Sequence, residues 1–81
     1  MMEQIKKDLE IIKIELRQFA LAMYDHWDSE DYKLDDELKA KRKKLTEEYV
    51  ATYGVNPKID ECKCYEDVIK LKNRLADEIG A

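Results

Sequence analysis

Glycine and proline are scarce in this chain of 81 residues, with two of the first and one of the second. These residues supply the positive or fixed backbone angles of tight turns, so few turns and long helices are expected, and strands are not. Cysteine is nearly as rare, and Cys62 and Cys64 are separated by a single residue. Two thiols so close do not form an unstrained disulfide, and two are too few for a secreted disulfide scaffold, so a cytoplasmic location is expected. His26 is the sole histidine. No four-ligand zinc set exists at the usual spacings, and no metal or other cofactor is expected. Uninterrupted apolar runs of about 18 residues, the length of a membrane span, are missing. The start, Met-Met-Glu-Gln-Ile-Lys-Lys-Asp, goes straight into a charged pattern, so neither a membrane span nor a signal peptide is expected.

What is abundant is charge: 42% of the residues are Asp, Glu, Lys or Arg, with a net charge of −4. At this length a single domain spanning 1–81 is expected, and folding removes only about 60% of the unfolded chain's surface, so the core is thin. With disulfides and metals set aside, self-association is the expected supplement.

The apolar pattern predicts three helices, roughly 2–26, 30–53 and 61–79. In the first, Ile5, Leu9, Ile12, Leu16, Phe19 and Met23 follow a four-three-four-three-four spacing, a heptad seam that another helix must cover. Ile14 and Leu21 lie one heptad apart on nearly the opposite side, with Ile11 also off the seam. Two explanations stand level: the helix is central to three, or its second face is kept for a partner or a second copy. Asp28 or Ser29 is suited to cap the second helix, with Glu30 and Asp31 at the positive end of its dipole. A connection this short makes the first two helices antiparallel. The second helix offers Leu34, Leu38, Leu45, Tyr49 and Tyr53, interrupted near Lys41 and Arg42, where a long stem can pack while its charge reaches water. Gly54 is expected as a left-handed cap before the Asn56-Pro57 break. Val68, Leu71, Leu75 and Ile79 mark the third helix, which either follows a helix opened at Pro57 or restarts near Asp60. The expected fold is all-α: an antiparallel helical hairpin plus a third C-terminal helix, in a small bundle or coiled-coil-like arrangement compatible with a homodimer. The buried set is expected to join the seam to Leu34, Leu38, Leu45, Val68, Leu71 and Leu75.

Chemistry-bearing patterns are few. Asp25 to Glu37 holds seven carboxylates and one lysine, without the central glycine and alternating ligands of a calcium loop. A solvated turn with helix-start carboxylates accounts for most of it; an acidic face presented to a basic partner is the minority alternative. Lys39, Lys41, Arg42, Lys43 and Lys44 form a basic cluster, but on a helix they spread around the circumference, and the whole chain is acidic. The alternative of nucleic-acid binding through this cluster is therefore unfavoured, and a solvated face partly paired with Glu47 and Glu48 is expected instead. Tyr24, Trp27 and Tyr32 flank the turn. Tyr24 is expected to plug the hairpin end, and Trp27, if exposed, to make contact with a partner. Cys62 or Cys64 with His26 is the only nucleophile–base pairing available, with no glycine-rich turn to form an anion hole, so no enzyme is expected.

A helical hairpin of this size is similar in outline to the small aspartyl-phosphate phosphatases of sporulating bacteria. Their Ser-Gln-x-Leu-Asp signature is missing where the second helix reads Lys33, Leu34, Asp35, Asp36, Glu37, Leu38, so the likeness stops at shape. The leading expectation is a non-enzymatic regulator or inhibitor, in the style of accessory or virus-encoded modulators, that binds a larger protein stoichiometrically. Its expected contact residues are Tyr24, Trp27, Asp28, Glu30, Asp31, Tyr32 and Asp35. A structural assembly subunit is the remaining alternative.

Overall fold

The computed structural model describes residues 2–80, and no strand occurs among them. The elements are α1 (Met2–Ala22), α2 (Ser29–Tyr53), a 3-10 turn (Lys58–Glu61) and α3 (Tyr65–Glu78). The all-α fold with three helices is as expected, and α1 packs against both α2 and α3 as in a small helical bundle. Leu21 shares a cluster with Leu34 and Leu38, Glu15 meets Arg42, and Asp8 meets Tyr49. Rising numbers on α1 therefore oppose falling numbers on α2, and the two helices are antiparallel.

α1 stops at Ala22 rather than near residue 26. Its last carbonyls are taken by a tightening turn, with Met23 N donating to Ala20 O at 3.2 Å and Tyr24 N to Leu21 O at 3.1 Å. The Trp27 indole folds back and donates from Nε1 to the same Leu21 O at 2.9 Å, so this helix-end carbonyl accepts twice, using both lone pairs. Met23, expected as the last residue of the seam, lies beyond the helix and is 81% exposed. α2 begins as its sequence suggests. Asp31 N donates to Asp28 Oδ1 at 3.0 Å, and Asp28 N donates back to Asp31 Oδ2 at 3.2 Å, a capping box with aspartate in the reciprocal position. It ends at Gly54, whose φ of 71° is left-handed and whose N–H reaches Val50 O.

The third helix, expected over 61–79, covers Tyr65–Glu78 and follows a short turn, as one of the two alternatives for its start had it, though it restarts later than Asp60. Pro57 fixes the entry to the 3-10 turn, the backbone is extended at Cys62 and Cys64, and α3 starts only at Tyr65. Lys63 N donates to Asp67 Oδ2 at 3.1 Å, which ties the extended link to the first turn of α3.

Among the described residues two clusters make the core. The larger joins Ile11 and Ile12 of α1, Tyr49 of α2, Ile59 of the 3-10 turn, and Val68, Leu71 and Leu75 of α3. The smaller joins Ile14 and Leu21 to Leu38, with Trp27 and Leu34 packed against it. The heptad seam is only partly right as a description of burial. Ile12 is fully buried, but Ile5, Leu9, Leu16 and Phe19 are half-buried, whereas the off-seam Ile11, Ile14 and Leu21 are buried. Two helices approaching α1 from different directions widen the covered stripe beyond a single-partner seam. Ile14 and Leu21, on the second face of α1, are thus covered within the chain by Leu38, with Trp27, Leu34 and Leu45 packed against them.

Candidate functional site

The acidic turn places its aromatic residues differently from the expectation. Trp27 is half-buried, its indole N–H bonded to Leu21 O and its ring edge-on to Tyr32 with centroids 5.2 Å apart. Trp27 is therefore the plug of the hairpin end, while Tyr24, expected in that role, is 57% exposed. The reason is the early end of α1, which carries Tyr24 outward and leaves room for the indole. Tyr32 is 60% exposed, so it and Tyr24, with Met23, present apolar surface to solvent around the turn.

The carboxylates divide into used and unused groups. Asp28 and Asp31 belong to the capping box. Half-buried Asp35 pairs with Lys39 at 2.8 Å, and the hydrogen bond, followed by the carboxylate charge, raises the Lys39 ammonium above its ordinary value. Asp25, Glu30, Asp36 and Glu37 are exposed and have no ion pair among the described residues.

The basic cluster is partly neutralised, though not by Glu47 and Glu48 as expected. Lys39 is held by Asp35, and Arg42 crosses from α2 to pair with Glu15 of α1. The Arg42 side chain stays 32% exposed, and it bridges the gap in the α2 stripe by an inter-helix ion pair. Lys41, Lys43 and Lys44 are exposed and have no ion pair among the described residues.

The thiols and the imidazole are on different parts of the chain path. His26 is exposed in the turn before α2, and no hydrogen bond joins it to either cysteine among the described residues. Cys62 is half-buried, and burial, then the charges of Asp67 and Glu61, raise its thiol above the ordinary value. A thiol so shifted holds less thiolate at neutral pH and is a poorer nucleophile.

Sequence reasoning missed a buried polar network. Asp8 is 1% exposed and accepts from Tyr49 Oη at 2.9 Å and from Lys58 N at 3.0 Å, while Gln4 Nε2 donates to Tyr49 Oη at 2.9 Å. The network pins α1, α2 and the 3-10 turn together. The Tyr49 hydroxyl is raised above its ordinary value, first by burial and then by the Asp8 bond and charge, against a lowering by Gln4. One sequence signal was available: Asp8 stands three and four residues before Ile11 and Ile12, on the same helix face as two core residues.

Also unforeseen is an open groove of about 730 Å³ lined by α1 and α2, where apolar Ile14, Leu16 and Leu45 are interleaved with charged Glu10, Lys13, Arg17 and Lys41. No local spacing marks it, because its walls lie far apart in sequence. Among the described residues, no helix is long and apolar enough to cross a membrane. No known protein family, characterised protein or solved structure matches this chain.

Proposed function

We propose that the protein is a non-catalytic binding module that docks a larger, basic protein partner on the turn between α1 and α2. The observation that carries this reading is the exposure of Met23, Tyr24 and Tyr32 inside a stretch with seven carboxylates and one lysine. Exposed aromatic area gives contact energy for little lost side-chain freedom, and unpaired carboxylates around it give orientation and a fast approach to a basic surface. Trp27 serves this surface from below, by fixing the end of α1 and giving Tyr32 an edge to rest on.

The test separates contact from support. Proteins captured from the source cells on immobilised protein are compared with those captured on Tyr24→Ala combined with Tyr32→Ala, with far-UV circular dichroism as the check on folding. A captured basic protein lost from the double variant at unchanged helicity is the expected outcome. Equal capture by both forms would sink the reading. Trp27→Ala does not serve here, because its hydrogen bond and packing make it a folding variant as well.

A further inference from the structure

We propose that the groove between α1 and α2 is a second docking site, made for an acidic amphipathic helix of a partner protein. It shares no residue with the acidic turn, and its test stands independently of that reading.

The shape comes from helix geometry. Glu10, Lys13, Ile14 and Arg17 stand at i, i+3, i+4 and i+7, one stripe along two turns of α1, about 10 Å long. Lys41 and Leu45 face them one turn apart on α2, and together these residues line the groove. A furrow between two antiparallel helices, with Ile14, Leu16 and Leu45 among its lining, seats a helix offering anchors at the same spacing. The chain already uses this solution elsewhere on α1, where α3 lays Val68, Leu71 and Leu75 against Ile11 and Ile12. Leu16 and Leu45 are only half-buried, so the groove retains apolar surface to cover.

Charge selects the occupant. Lys13, Arg17 and Lys41 are exposed, and none of them has an ion pair among the described residues, whereas Lys39 and Arg42 do. The one acid of the groove, Glu10, lies 3.9 Å from Lys7. In a protein of net charge −4, three cations against one carboxylate in this lining favour a helix with carboxylates flanking its apolar stripe, and repel a basic one.

The experiment is a titration of the full chain, followed by amide chemical shifts, with a short synthetic helix carrying leucine at i, i+3, i+4 and i+7 and glutamate elsewhere. Its lysine counterpart is the control. The glutamate helix is expected to perturb residues 10–17 and 41–45 and the lysine helix to leave them unmoved. Binding of the glutamate helix is expected to fall about tenfold or more in a variant combining Lys13→Glu, Arg17→Glu and Lys41→Glu. Should that variant lose helicity, Lys41→Ala alone is expected to weaken binding about threefold, the effect of one groove charge. Equal binding of both helices, shifts centred elsewhere, or indifference to these substitutions would overturn the proposal. So would a mass increase with concentration that Lys41→Ala abolishes, since the occupant would then be a second copy. Occupation of the groove by dodecanoate but not by the glutamate helix would assign it to small amphiphiles and equally overturn it.

Discussion

The two apolar clusters on α1 are built to different standards. The larger draws on all three helices and the 3-10 turn and has the Asp8 network beside it. The smaller has Ile14, Leu21 and Leu38, closed by Trp27 and Leu34 at the hairpin end. Opening the first separates segments from both halves of the chain, while opening the second frays one end of a hairpin. Surfaces that must meet partners are drawn from regions of low local stability. The exposed aromatic residues and unpaired carboxylates of the turn sit at that weaker end, and the topology is held at the other.

The largest expected effect tests whether the large cluster governs folding. Ile12 is completely buried, and an unpaired carboxylate there costs more than about 4 kcal/mol, close to the whole stability of a small domain. Ile12→Asp is expected to abolish the helical circular dichroism at room temperature. The heptad pattern gives Leu16 equal standing, but Leu16 is half-buried, so Leu16→Asp is expected to keep a cooperative transition at a lower midpoint. Next in size, Leu75→Ala, at a fully buried position of the large cluster, is expected to cost about 3–4 kcal/mol, and Leu38→Ala, in the small cluster, about 2–3 kcal/mol. Urea denaturation measures both, and a larger loss at Leu38 would reverse the ranking of the two ends.

The Asp8 network gives the next effect. Asp8→Ala leaves the Tyr49 hydroxyl and Lys58 N–H without their acceptor and is expected to cost about 2–3 kcal/mol. Tyr49→Phe, which removes one donor and leaves the Lys58 bond, is expected to cost about 1 kcal/mol. The tyrosine also sets an alkaline limit. Its folded-state value is raised above the ordinary 10.0, so folding favours the protonated phenol. That contribution is complete below the unfolded value and is lost as the pH rises through the folded one. The melting temperature is expected to fall above about pH 10, and less steeply in Tyr49→Phe. Equal alkaline slopes for the two proteins would remove Tyr49 as the cause.

Helix identity and caps were legible because they are local. Asp28, Gly54 and the periodic leucines act within a turn or two of themselves, and α2 begins and ends where they place it. Legibility failed where the deciding partner is distant. The indole that closes over the end of α1 arrives from residue 27, and the break before α3 holds a 3-10 turn whose Lys58 N–H is bonded to Asp8. The turn was legible as acidic and aromatic, but its plug and its exposed member were interchanged, because exposure depends on where α1 stops. The groove was invisible, since it exists only once Lys13 and Arg17 are brought beside Lys41.

The smallest effect sharpens the comparison from the weak end. In Asp28→Ala the Asp31 N–H loses its side-chain acceptor, and the reciprocal bond from Asp28 N to Asp31 Oδ2 loses the geometry that holds it. The cost expected for removing an N-cap is about 1 kcal/mol. If the ends are as unequal as their packing implies, that cost is local. Amide exchange is expected to quicken over residues 29–34, while the amides of Ile11, Ile12 and Lys58, beside the Asp8 network, exchange only as fast as the small global loss requires. A uniform acceleration through α1 and α3 would mean that the turn and the large cluster open as one unit. The turn would then not be a separately yielding surface, and an account of binding based on local freedom at that end would fail with it.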